Sequence, residues 1–465
     1  MNTPADTLSG DVRLLVFLHP GRTSIHYIAA LARAAHRLGV LAATIDLGPV
    51  WASMNGPEGP LAQRQWTEQL AALCRRERIT HALGYVHNGS LEWRTARCPA
   101  SGAPRALLPS LGIHHLMLWT DHPNWATRGS ALEPAPSRLL SDDYHTHFVK
   151  SPLAADELAS LTGWKNVHHL DMAEDRDLIA PPSTIDPDCD AVLIASDISA
   201  PPAELTPLLD ALDPDPEEIM ALLVPRARAA WRALAEQAPS PASLSALFEA
   251  LVHARLARPL LGWWRLTPAL DAAHADSLAW LRGEPRRWYA AIAALAPLTS
   301  WRRSFWPAWL ARRVSLGVFG SAAEPLGIAS PTGGGWVPHD AQHAVYARGR
   351  CAITINAAHD EEALTHKAFQ IAAAGVPCIH HASLGIDRCF DPGSEISLFS
   401  RGPELLELVR RAADDNLANH ARRALDRLCS EHTWDHRLAR MLALAATPAR
   451  SAASADAPGA VQSAA

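Results

Sequence analysis

The stretch C-A-I-T-I-N-A (351–357), A-H-D-E-E-A-L-T (358–365), H-K-A-F-Q-I-A-A-A-G-V-P (366–377) decides the fold. Its first third is uncharged and mixes small, β-branched and apolar residues, as a short strand buried on both faces of a parallel sheet does. Its middle third is a polar loop. In the last third Leu364, Ala368, Ile371 and Ala372 recur at helical spacing, and Gly375 suits a helix C-cap before Val376 and Pro377 open the next strand. Strand, loop, helix, strand is the order of an open α/β sheet. There ligands bind beyond the carboxyl ends of the strands, and a helix N-terminus offers unpaired N–H groups to an anion. Thr365 and Lys367 fall at that N-terminus, with Glu361 and Glu362 just before it.

Working outward, the same alternation recurs. Residues 12–18 (V-R-L-L-V-F-L) read as a first strand, followed by His19, Pro20, Gly21 and Arg22 and a helix over 24–38. Further strands are expected at 41–47, 81–86, 114–120, 147–150 and 167–170, with helices over 61–76 and 152–161. The polar turn Asp121-His122-Pro123-Asn124 closes one of these strands at its carboxyl end. After a Pro-rich link, 179–187, residues 189–195 open a second α/β unit. From 203 to 313 only helical periodicity broken by Pro remains, and eight of the chain's 16 Trp fall there. They read as core between helices rather than as an acceptor-binding surface. The sheet resumes at 314–319, ending in Gly320, and is expected to continue through 335–340, a helix over 341–347, the opening stretch, 378–380 and 396–399. Helices over 403–414 and 418–431 follow. The expected organisation is a loose arm (1–10), an α/β domain (11–180), a second α/β domain (188–446) holding the helical insertion (203–313), and a disordered Ala/Ser/Pro tail (447–465).

Composition narrows the function. A chain of 465 residues supports two or three domains. A net charge of −6 and a pI near 6.4 give no basic field for nucleic acid or an anionic membrane surface. The seven cysteines are scattered, with no C-x-x-C, which fits a reducing cytoplasm better than disulfides or a zinc site. Neither a signal peptide nor an apolar run of transmembrane length (about 18 residues) is expected.

Trp336-Val337-Pro338, Tyr346, Ile353-Thr354-Ile355-Asn356, the T-H-K-A-F-Q run at 365–370, Ala374-Gly375, Gly393-Ser394-Glu395-Ile396, Glu404-Leu405 and the closing E-H-T-W-D-H-R at 431–437 carry a resemblance. Together they resemble the C-terminal domain of GT-B glycosyltransferases, above all the branch grouped with spore maturation protein CgeB. W-T-D-H-P (119–123) and H-F-V-K-S-P (147–152) are similar to the same group, and the likeness spans most of the chain except the helical insertion. It implies an α/β architecture of two Rossmann-like domains facing a cleft, with a nucleotide-sugar donor held mainly by the second. Related enzymes carry two glutamates eight positions apart around this helix; here the positions hold Glu362 and Gln370, and an amide accepts through one oxygen without charge. Lys367 stands where the group often has a basic residue. The donor-binding candidates are Gly320, Val337, Glu362, Thr365, His366, Lys367 and Gln370.

Sugar transfer from a nucleoside diphosphate leaves negative charge on the departing diphosphate. Lys367, Thr365 and the helix N–H groups suit that charge without a metal or other cofactor. The D-x-D letters at 175–177, 186–188, 188–190 and 213–215 lie in or beside polar, Pro-rich links and read as turns. If the reaction inverts, a base must deprotonate the acceptor from the N-terminal side. Asp121 is the first candidate, with His122 and His19; the Asp121 turn reads equally well as a local turn before Pro123. The expectation is a cytoplasmic glycosyltransferase whose partners are a nucleotide sugar and a glycan, protein or small-molecule acceptor. A catalytically silent binding or scaffold protein of this shape, and another sugar-nucleotide Rossmann enzyme such as an epimerase or phosphorylase, are the alternatives.

Overall fold

The computed structural model describes residues 12–22, 24–90, 96–97, 104–179, 186–196, 198–328, 335–413 and 415–445, and folds them around two all-parallel sheets. The expected arm and tail fall outside these residues. The first sheet holds β1 (Leu14–Leu18), β2 (Leu41–Asp46), β3 (His81–Tyr85), β4 (His114–Trp119), β5 (His145–Val149) and β6 (Val167–His169), in the order β2-β1-β3-β4-β5-β6. The second holds β7 (Cys189–Ile194), β8 (Leu316–Phe319), β9 (Gly349–Thr354), β10 (Cys378–His381) and β11 (Ser397–Phe399), in the order β8-β7-β9-β10-β11. In each sheet the order reverses beside the first strand in sequence, opening a crevice at the carboxyl ends. Two such helix-flanked sheets make the two-domain α/β GT-B fold.

The elements form for the reasons their sequences suggest. β1 is uniformly apolar because both of its faces are covered; its first four residues are fully buried. The helix Ser24–Arg37 places Tyr27, Ile28, Leu31, Ala34 and Ala35 on one buried face and ends on His36 and Arg37, which suit its negative end. The helix His366–Ala373 starts after Thr365 in extended conformation, and the chain leaves it through Gly375 at φ +66°.

One expected strand does not form. Residues 335–338 are irregular, followed by a 3-10 turn, His339–Ala341. Trp336 points out and Val337 in, so their alternation imitates a strand, yet β8 and β9 already occupy both sides of β7. Between β7 and β8 the chain builds the helices Pro216–Ala235, Pro241–Ala257, Asp271–Arg282, Pro285–Leu295 and Pro297–Ala311. Trp231, Trp263, Trp288, Trp301, Trp306 and Trp309 are at most 2% exposed in this block, so they are core. Arg282 and Arg287 lie over the half-buried rings of Trp264 and Trp280, at 5.1 and 4.9 Å.

The E-H-T-W-D-H-R run locks the two sheets together. Arg437 donates to the carbonyls of Asp171 (2.7 Å), Met172 (2.9 Å) and Glu431 (3.0 Å), and the His432 ring lies 2.8 Å from the carbonyl of Cys389. Asp435 takes a two-pronged bond from Arg37 of the first domain at 2.8 and 2.7 Å. The final helix, Trp434–Ala445, thereby crosses back onto Ser24–Arg37.

Candidate active site

The carboxyl ends of both sheets open on one cleft of about 550 Å³. The second domain supplies Thr365, His366, Lys367 and Gln370 from the start of the His366–Ala373 helix, with His339 and Gln342 beside them. The first domain supplies Tyr27, Tyr85, Asp121 and Lys150, and the last insertion helix adds Arg303. The first turn of a helix leaves its N–H groups without intrahelical partners, and Thr365 makes no side-chain cap here.

Lys367 reaches Gln342 Oε1 at 2.8 Å. Burial strips water from the ammonium and lowers its pKa to about 8, against a partial upward pull from Glu174. A desolvated cation at a helix N-terminus is a site prepared for an anion. Gln370 is wholly buried, its amide nitrogen 3.2–3.3 Å from the His339 ring, and its Oε1 has no hydrogen-bond partner among the described residues. His366 stacks on His339, with ring centroids 5.0 Å apart, and its Nε2 lies 2.9 Å from the Ala173 carbonyl.

At the other end of the cleft four groups from both domains meet. Lys150 Nζ lies 2.6 Å from Asp360 and 3.3 Å from Asp121, and His359 Nε2 lies 3.4 and 3.5 Å from the same two carboxylates. Burial pushes the Asp121 carboxyl up, but Lys150 and His359 outweigh it and hold the group well below its ordinary pKa. Burial would lower the Lys150 pKa, and Asp360 and Asp121 raise it instead.

Several expected residues lie elsewhere. His122 turns away from the cleft: its Nε2 lies 3.1 Å from Tyr289 OH and its Nδ1 accepts from the Asn124 N–H at 3.2 Å. His19 accepts from the Gly21 N–H at 2.8 Å and packs against Trp51 and Tyr85, which makes it a turn residue. Glu362, at φ +56°, faces the insertion, accepting from the Gly262 N–H at 3.2 Å with Arg265 at 3.6 Å. Val337 is buried in the core. Gly320, at φ +93°, sits so close to the chain that an added Cβ would lie 2.3 Å from the Ala195 carbonyl oxygen. None of these five lines the cleft; Asp121, Thr365, His366, Lys367 and Gln370 do. Lys150, His359, Asp360 and Arg303 carry no such signal in the sequence beyond the H-F-V-K-S-P run at Lys150, since strand-end, loop and insertion-helix residues reveal their cleft only through tertiary contact.

Among the described residues, two clusters bring carboxylates and imidazoles within metal-ligand reach: Glu174, His339, His366, and Asp121, His359, Asp360. In the first, the two rings are stacked within 6° of parallel, so their in-plane lone pairs do not converge on one point. In the second, the Lys150 ammonium stands among the carboxylates where a cation would stand. None of the described D-x-D aspartates lines the cleft. Asp175 and Asp177 pair with Arg33 and Arg37, Asp188 with Arg348, and Asp213 with Arg401.

Residues 302–443 match the family described as glycosyl transferase-like. Among solved structures the chain is similar to a glycosyltransferase from Rickettsia africae (9% identity, TM-score 0.42, covering 94% of this chain and 98% of that one). It is also similar to the sucrose-phosphate synthase of Thermosynechococcus elongatus (12%, TM-score 0.43, 93% and 98%). A third is Anabaena HepE in complex with UDP and glucose (10%, TM-score 0.43, 93% and 98%). No curated protein sequence matches. The matched stretch, 302–443, supplies the Lys367 side of the cleft.

Proposed function

We propose that this glycosyltransferase moves a sugar from a nucleoside diphosphate to an acceptor hydroxyl, with no metal ion, and that it belongs to the CgeB-like branch. The observation that carries the reading is Lys367, a cation desolvated by burial at the N-terminus of His366–Ala373, opening on the interdomain cleft. As the bond from the anomeric carbon to the diphosphate breaks, negative charge grows on the leaving oxygens. Lys367, the first-turn N–H groups and Arg303 meet it. Gln370 Oε1 accepts from a donor hydroxyl, and Thr365 reaches the phosphates. The Lys150 ammonium, seated between Asp121 and Asp360, supports metal independence. The E-H-T-W-D-H-R clamp supports the branch. The described cysteines are unpaired, which supports a reducing, cytoplasmic setting. No described helix is long and apolar enough to cross a membrane.

The test is a thermal-shift screen against UDP, GDP, dTDP and CDP sugars in the presence of EDTA. A ligand bound only by the folded state, at a hundred times its Kd, adds about 2.7 kcal/mol of stability. One series raising Tm in EDTA, with release of its nucleoside diphosphate, is the expected result. Binding without release would favour the scaffold reading, and no shift from any series would contradict both.

A further inference from the structure

We propose that His359 is the group that takes the proton from the acceptor hydroxyl. The assignment rests on the glycosyl-transfer reading above. The sequence puts candidate bases on the first domain, yet His122 and His19 are both occupied outside the cleft. The imidazole that Asp121 does reach is His359, brought by a loop of the second domain.

Three observations give His359 this role. Its Nε2 lies between Asp121 and Asp360, at 3.5 and 3.4 Å, so the Nε2–H tautomer is favoured and Nδ1 is left as the acceptor. Nδ1 has no hydrogen-bond partner among the described residues, and the side chain is 26% exposed. The ring also lines both the main cleft and a small adjoining notch walled by Trp125, Trp264 and Tyr289.

The loop that carries His359 is held from three sides. The Glu361 carboxylate pairs with buried Arg255 at 2.8 Å and accepts from the Trp263 N–H at 2.9 Å, while its carbonyl accepts from Ser151 at 3.0 Å. Ser151 follows Lys150 in the chain. Glu361 is thus a positioning residue that fixes His359 relative to both domains and the insertion. The charged and titratable groups facing the imidazole are Asp121, Lys150, Asp360 and His122.

In the step, the acceptor O–H proton passes to His359 Nδ1 while the acceptor oxygen bonds to the anomeric carbon. The bond from that carbon to the diphosphate oxygen breaks, and its electron pair leaves with the diphosphate beside Lys367. Asp121 and Asp360 stabilise the resulting imidazolium, which returns its proton to solvent.

The test uses the full chain and water as acceptor, following release of nucleoside diphosphate from UDP-, GDP-, dTDP- and CDP-glucose. For His359→Ala and His359→Gln we expect unchanged nucleoside diphosphate binding by calorimetry and a kcat lower by about 10²- to 10⁴-fold. The acid limb of the pH–rate profile should disappear, and added imidazole should partly restore His359→Ala. Unchanged kcat, a retained acid limb, or loss of nucleotide binding in both variants would overturn the assignment. Failure of the wild-type chain to bind any of the four diphosphates would instead overturn the underlying function, and this assignment with it.

Discussion

Lys150 Nζ and Asp360 Oδ1 lie 2.6 Å apart, one following the fifth strand of the first sheet and the other in a loop of the second domain. The pair is mostly buried, with side-chain exposures of 12% and 6%, and Asp121 stands on its far side. Lys150→Met leaves two carboxylates facing each other without a cation. Breaking a buried pair from one side costs about 3–5 kcal/mol. Chemical denaturation should show a loss of that order; a change under about 1 kcal/mol would mean the pair is open to water and weakly coupled.

Nucleoside diphosphate binding should take up a proton at alkaline pH. Burial lowers the Lys367 pKa to about 8 in the free protein, and an adjacent diphosphate stabilises the charged form. Affinity is then fullest below pH 8 and falls as pH rises through it, by up to about tenfold per unit. Calorimetry at pH 8.5 in two buffers of different ionisation enthalpy reads the uptake directly. Equal heats in both buffers would count against it.

Acid should destabilise the fold well before carboxylates titrate. His145, His147 and His380 are almost wholly buried, and burial lowers their pKa values to about 4, 3 and 4. Below about pH 6.5 the unfolded chain protonates these rings while the native state does not, so each one takes away up to about 1.4 kcal/mol per pH unit. Glu157 and Glu174 act with the opposite sign, since burial raises both to about 8 and their neutral forms lose ground as pH rises from about 4.5. With histidines in the majority, Tm should fall steadily from pH 6.5 to 5.

Glu157 offers an isosteric check. It accepts from Trp288 Nε1 at 2.7 Å, and at pH 7 its carboxyl is largely neutral. Glu157→Gln keeps the accepting oxygen and the shape but has no proton to lose on unfolding, so its stability should match wild type near pH 4.5 and exceed it by up to about 1.4 kcal/mol per pH unit towards pH 7. The variant should also lose the alkaline weakening that wild type shows towards pH 8. A large loss at pH 7 would show that the carboxyl is ionised.

Much of this was legible in the sequence. Continuous apolar runs such as L-L-V-F-L can hardly be anything but doubly covered strands, and Thr365, Lys367 and Gly375 mark one helix from both ends. Six of the insertion's eight tryptophans are core, as a block of helical periodicity without strands suggests, and Trp264 and Trp280 are half-buried. What stayed hidden depends on contacts distant in sequence. Asp121 was identified, but its neighbouring imidazole is His359 rather than His122, because Pro123 starts a short helix that turns His122 onto Tyr289. The eight-position spacing of the resemblance implies Glu362 as a donor ligand, but its left-handed backbone directs the carboxylate to the insertion instead.

The proposed donor site seats the diphosphate on the amino end of the His366–Ala373 helix, against Lys367. Titration calorimetry of the best nucleoside diphosphate against wild type and Lys367→Ala reads this contact. The unliganded variant should melt as wild type does, with turnover abolished and affinity weakened by about 10- to 100-fold, the weight of one charge-assisted hydrogen bond. Equal affinity and turnover in the two proteins would contradict it.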